Sequence, residues 1–166
     1  MHKFKFIRNS LFLLLIFVNI GCDQISKSMV RDRLEYYQQI ELAGEHLLLT
    51  KVENTGAFLS LGDDLGPVSK TLLLNLLPAL TMLGLTFWLF LGRTGWGTAL
   101  GVCCVIGGGI GNIIDRISYG SVTDFLYIHY GFFRTGVFNF ADVSITFGAL
   151  FIIALQIHNT RKNQAI

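Results

Sequence analysis

The chain has 166 residues, room for one domain, with 52% hydrophobic residues, 14% charged residues and a formal net charge of +2. Soluble domains carry about 25% charged residues, so this composition, with its mean hydropathy of +0.55, points to a membrane protein. So small a net charge gives no footing for nucleic acid, and Cys22, Cys103 and Cys104 form neither a metal-ligand spacing nor an even disulfide framework.

Residues 1–22 have the outline of an export signal: His2, Lys3, Lys5 and Arg8, then a largely apolar run, then Gly21-Cys22. Asn19 stands three before Cys22, where a lipoprotein cleavage site prefers an aliphatic residue, and strong apolar spans follow. The segment therefore reads as a first transmembrane helix, about 4–29. Its uncharged part is too short to cross a core of about 30 Å, so the helix has to carry Asp23 and Lys27 toward the far surface. Residues 30–68 form the long polar segment. Leu47 to Val52 has strand content and Asn54-Thr55-Gly56 turns, which predicts a small sheet lying on the membrane with Leu49, Phe58 and Leu59 as its greasy side. Residues 62–67 read as a loop or a short interfacial helix ending at Gly66-Pro67.

Thr71 to Leu91 and Thr94 to Ile114 are uncharged runs of 21 residues each, long enough to span. Pro78 is tolerable in lipid, and the glycines of the second run allow close helix approach. Val137 to Ile157 is the last span and carries one charge, Asp142. A single domain, 1–166, with an all-α membrane core of four spans (about 4–29, 70–91, 95–115 and 137–158) results, with both termini on one side. Lys and Arg alone do not orient it, six lying with the termini and seven opposite, mostly in the long loop. All 11 acidic residues lie opposite the termini. With the basic start, this sets the expectation of cytoplasmic termini and an extracytoplasmic 30–68 segment.

That topology gathers polar residues at one end of the spans. Asp23 ends the first, Asn112, Asp115 and Arg116 end the third, Asn139 and Asp142 begin the fourth, and Asp124 and Asn54 lie on the connections. Two close carboxylates share one proton, so one can deprotonate a water while the other polarises a carbonyl and protonates a leaving amine. No metal or cofactor is required. The four dispersed histidines offer no ligand pair, there is no Gly-x-Ser-x-Gly elbow, and Gly107 to Gly111 lacks the Lys-Ser/Thr of a phosphate loop. Each aspartate also has a plainer reading: Asp115 as the partner of Arg116, Asp142 as a helix cap, Asp124 as a solvated loop residue. Spacing alone does not separate a catalytic pair from the ion pathway of a transporter. The absence of an internal repeat and the clustering at one end of the spans count against the transporter.

Five ordered motifs decide further: Asp23-Gln24-Ile25-Ser26-Lys27, Asn54 to Ser60, Gly111 to Arg116, Val122-Thr123-Asp124-Phe125 and Phe138 to Asp142. Together they resemble the lipoprotein signal peptidase (signal peptidase II) family. The resemblance implies an aspartic endopeptidase of the bacterial inner membrane. It would act on diacylglyceryl-modified prolipoproteins, cut on the amino side of the modified Cys, and have its active site on the extracytoplasmic side. It implies Asp124 and Asp142 as the catalytic dyad. Asp23, Lys27, Asn54, Gly56, Asn112, Arg116 and Asn139 are implied as supporting positions around substrate and dyad, with Asp115 structural. It also implies an extracytoplasmic β-cradle within residues 30–68 and a short helix over the site. The expected partners are prolipoprotein and membrane lipid, with the chain acting as a monomer. Residues 127–136 carry no motif.

Overall fold

The structure is a computed structural model that describes residues 2–57, 62, 64–92 and 94–164. Among these, four helices are long and apolar enough to cross a membrane. They are α1 (His2–Arg33), α2 (Pro67–Leu91), α3 (Trp96–Tyr119) and α4 (Phe140–Gln164). Helix α1 runs past the predicted end because its last turn is capped: Lys51 Nζ donates to Arg31 O at 3.0 Å and Leu34 O at 3.2 Å. Those carbonyls have no partner within the helix. Helix α2 starts at Pro67, whose missing N–H costs nothing at a first helical position. One turn before Pro78, Thr71–Leu76 widens to a π-helix, with Leu77 N–H donating to Leu72 O, five residues back. A proline ring clashes with the carbonyl four residues earlier, and the wider turn occupies that place.

Helix α3 is central, packed against α1, α2 and α4. Its glycines make this possible. A Cβ on Gly108 would collide with the carbonyl of Ala141 on α4, and one on Gly111 would stand 2.5 Å from Asp23 Oδ2 on α1. Phe12, Ile16, Leu89, Ala99, Val102, Cys103 and Ile106 form the apolar core, in which Cys103 is a buried free thiol. Leu80, Leu83 and Phe87 on α2, and Phe147 and Leu150 on α4, face outward, as lipid-facing side chains do. Helix α3 ends at Gly120, whose φ of +76° gives a left-handed cap, and Gly120 N–H donates to Arg116 O at 3.0 Å.

At the end of the spans opposite the termini lies a four-stranded antiparallel sheet in sequence order: β1 (Ile40–Glu41), β2 (Leu47–Asn54), β3 (Val122–Tyr130) and β4 (Phe133–Arg134). The expected sheet lay wholly within residues 30–68; half of the observed one comes from the connection between α3 and α4. The physical reason is that two strands alone are marginal in water, and Val122 to Ile128 is rich in β-branched and aromatic residues suited to pairing. Between Leu49↔Leu126 and Val52↔Asp124 the register shifts, so Thr50 and Lys51 oppose Phe125 alone. Such a bulge re-aims the neighbouring side chains, and the neighbour is Asp124.

Of the two readings of residues 62–67, the loop holds among the described residues and the short interfacial helix does not: a turn is closed by Leu65 N–H to Gly62 O at 3.1 Å. Gly62 at φ +85° is not helical, and Gly66 is extended as the N-cap of α2. Phe58 and Leu59 of the expected greasy side lie outside the described residues.

Candidate active site

Asp142 is positioned by the start of α4. Asn139 caps that helix with its Oδ1 accepting from Asp142 N–H at 3.0 Å, and Asp142 Oδ2 accepts from Asn139 N–H at 3.2 Å. This reciprocal pair is a capping box, so the helix-cap reading of Asp142 holds. It does not exhaust the residue. Oδ1 points away from the cap and accepts from Asn112 Nδ2 at 2.9 Å, and the carboxylate stays partly accessible.

Asp124 comes from the sheet. Beside the bulge it is 3% exposed, which rules out a solvated loop residue. Its Oδ1 accepts from Asn139 Nδ2 at 2.6 Å and its Oδ2 from Asn54 Nδ2 at 3.0 Å. Burial pushes its carboxyl up to about 7. The Asn54 hydrogen bond opposes that rise, the Asp142 charge adds to it, and Asn139 and Lys27 oppose it. Asn139 therefore binds both aspartates, Asp142 through its backbone and carbonyl, Asp124 through its amide.

Asn54 is itself fixed, Oδ1 accepting from Gly56 N–H at 3.0 Å and Nδ2 donating to Ala57 O at 3.0 Å. Arg116 Nη2 holds the same turn by donating to Gly56 O at 2.9 Å. Arg116 Nε, by contrast, is buried without a hydrogen-bond partner among the described residues. Asp124, Asp142, Asn54, Asn112 and Arg116 enclose a cavity of about 20 Å³, above the roughly 10–15 Å³ a single water needs. It adjoins a larger groove of about 470 Å³ that descends between α2, α3 and α4 along Leu73, Pro78, Met82 and Ile145. A second apolar groove of about 410 Å³ leaves Asp142 along Val143, Phe147 and Leu150.

Beneath the pair lies a buried charged layer. Lys27 Nζ, fully buried, meets Asp23 Oδ2 at 2.8 Å, Asp115 Oδ2 at 3.1 Å and Asn112 Oδ1 at 2.9 Å. The two carboxylates it clamps reach the residues next to the dyad candidates. Asp23 Oδ1 accepts from Ala141 N–H at 2.9 Å, and Asp115 Oδ2 from Thr123 N–H at 3.2 Å. Both backbone neighbours are thus tied to one ammonium. Asp115 pairs with Lys27 and with Arg31 at 2.8 Å; Arg116, its neighbour in sequence, points elsewhere, because adjacent helix residues do not share a face.

All ten residues singled out from the sequence meet in this one region. Three contributors were missed. Arg31 donates to Thr123 Oγ1 at 2.8 Å as well as pairing with Asp115. Gln24 Nε2 reaches Asp23 at 3.2 Å and Asp115 at 3.1 Å. Glu53 accepts from Thr123 Oγ1 at 2.8 Å. Asp23, Lys27 and Arg31 recur every fourth residue along one helix face, and that spacing was the available signal for Arg31.

Comparison with known proteins agrees in extent and kind. The sequence model of the family described as Signal peptidase (SPase) II matches residues 15–158. The lipoprotein signal peptidase of Pseudomonas fluorescens is 34% identical over 154 residues, covering 90% of this chain and 88% of that protein. That of Xylella fastidiosa (strain M12) is 35% identical over 154 residues, covering 92% of each. In fold, the chain superposes on a bacterial membrane enzyme structure solved at 2.3 Å with a TM-score of 0.81, at 22% identity and covering 91% of this chain and 90% of the other. A second, at 1.9 Å, gives a TM-score of 0.76 at 22% identity, covering 89% and 92%. With four membrane-spanning helices and this extent of similarity, the chain belongs to the signal peptidase II family, whose relatives are lipoprotein signal peptidases.

Proposed function

We propose that this protein is an aspartic endopeptidase that releases the signal peptide from diacylglyceryl-modified prolipoproteins, using Asp124 and Asp142. The observation that carries the reading is the one residue Asn139, whose side-chain amide donates to a buried carboxyl held up near neutrality and whose backbone N–H donates to a second, accessible one. That pairing of environments is what divides acid from base between two carboxylates.

The substrate's signal helix lies in the apolar groove between α2, α3 and α4, with its scissile carbonyl at the small cavity. Its acyl chains leave along Val143, Phe147 and Leu150 toward lipid. Membrane insertion thereby supplies much of the orientation. Asp142 takes a proton from water as the water oxygen bonds to the carbonyl carbon, and Asp124 protonates the carbonyl oxygen. The tetrahedral species then collapses. The C–N bond breaks, the amine takes the proton held by Asp142, and the hydroxyl returns its proton to Asp124. Arg116, which lines the small cavity and whose Nε has no partner among the described residues, supplies a donor to the developing charge. Asn112 is committed to Asp142 and Lys27, so it serves as support and not as an oxyanion donor.

The active site faces the extracytoplasmic side of the bacterial inner membrane and the termini face the cytoplasm, supported by the basic start and by the acidic residues at the opposite end. The enzyme acts as a monomer without a cofactor. Purified protein given a diacylglyceryl-modified prolipoprotein should release its signal peptide and leave the unmodified precursor uncut. Equal cleavage of both forms would remove the lipid requirement, and ion uptake by vesicles without any cleavage would favour a transporter.

A further inference from the structure

The sheet carries a groove that the chemistry above does not use. It measures about 360 Å³ and lies between Tyr37 and Gln39 on one side and Thr50, Val52 and Tyr127 on the sheet. Val137 lines both this groove and the cavity between the aspartates, so the two meet at that side chain. Val52, on the groove floor, stands opposite Asp124 in the strand register. The outer wall is built with care for its position. Tyr37 holds φ at 60°, a conformation disfavoured for residues other than glycine. Its N–H is bound to Lys51 O at 3.1 Å, and Lys51 Nζ lies 4.4 Å from the centre of the Tyr36 ring.

Resting on the peptidase reading, we propose that this groove binds the residues just carboxyl-terminal to the scissile bond, in extended form. The membrane-side groove takes the signal helix, so the chain that crosses the dyad has to leave at the opposite end, where this groove begins. The groove sets the amide of Gln39, the Thr50 hydroxyl and the tyrosine hydroxyls, donors and acceptors of the kind that bind a peptide main chain, beside the apolar side chains of Leu48, Val52 and Val137, which suit the alternate side chains of an extended segment. The occupant is thus the start of the mature lipoprotein, and the groove makes the enzyme sensitive to it.

Two diacylglyceryl-modified substrates test this, identical through the lipidated Cys. One ends there as an amide and the other continues for four residues. The wild type should cleave the longer with kcat/KM about fivefold higher or more, the worth of roughly one net hydrogen bond. In the Tyr37→Ala/Gln39→Ala double variant, both positions being exposed, that ratio should fall toward one. A ratio near one in the wild type, or an unchanged ratio in the variant, overturns the groove assignment. If the double variant does not fold, Gln39→Trp, which fills the groove from an exposed position, should lower the same ratio, and an unchanged ratio again overturns it. Failure of the wild type to cleave either substrate overturns the peptidase reading itself.

Discussion

Lys27→Met removes the ammonium that holds Asp23, Asp115 and Asn112 together while keeping much of its volume. Breaking a buried ion pair from one side costs about 3–5 kcal/mol, because a charge is left without a partner. Asp115 keeps Arg31 at 2.8 Å, so the loss falls mainly on Asp23, which retains Ala141 N–H at 2.9 Å and Gln24 Nε2 at 3.2 Å. The lower end, about 3 kcal/mol, is therefore expected. At about 2–4 °C per kcal/mol for a chain of this size, the melting temperature should drop by about 6–12 °C. The double variant Lys27→Met/Asp23→Asn discards the orphaned charge and should melt above Lys27→Met alone, a non-additivity that neighbours in one network show. Thermal unfolding in detergent measures both. Cleavage by folded Lys27→Met should fall at least about tenfold, since Asn112 loses the contact that aims its amide at Asp142. A melting temperature within 1 °C of wild type, or simple additivity in the double variant, would refute the clamp.

Gly111→Ala places a methyl against the Asp23 carboxylate and should lower both melting temperature and cleavage, whereas Gly21→Ala, with open space around it, should change neither. Asn139→Ala removes the helix cap and the Asp124 contact together. It should cost about 1–2 kcal/mol of stability and lower kcat far more than that loss of folded protein explains, read from thermal unfolding and steady-state cleavage. Asp124 carries the pH prediction. Burial raises its folded value to about 7, above the ordinary carboxyl value, so its protonated form is favoured by folding. The stability this gives is full below about 4 and is lost as pH rises through about 7. Cleavage, which needs the proton, should decline over the same upper limb. Unfolding of Asp124→Asn should lack that pH dependence, and a wild-type stability curve flat between pH 4 and 8 would contradict it.

The spans were legible because lipid demands long uncharged runs, and Thr71–Leu91 announced itself by length alone. The convergence of Asp23, Asn112, Asp124 and Asp142 followed from the alternating direction of the spans, which brings the ends of the first and third and the start of the fourth to one surface. The sheet was half hidden. Val122–Tyr130 pairs with β2 across the whole of α2 and α3, and no local pattern states such a partner. The bulge opposite Phe125 was invisible for the same reason, although it sets the direction of Asp124. The fate of Asp115 was misleading in sequence: Arg116 stands next to it, but helix geometry turns the two apart and brings Lys27 and Arg31 in from α1. Asp142 as a cap and Asp142 as a site residue looked like rivals. The capping box shows why they are not, since one oxygen serves the helix and the other is left for Asn112.

The central claim is that Asp124 and Asp142 act as one acid–base pair. Purified wild type, Asp124→Asn and Asp142→Asn, each verified as folded, should be incubated with a diacylglyceryl-modified prolipoprotein and scored for released signal peptide. Release by the wild type and none detectable from either variant is the predicted result. Cleavage near the wild-type rate by either variant would contradict the pair.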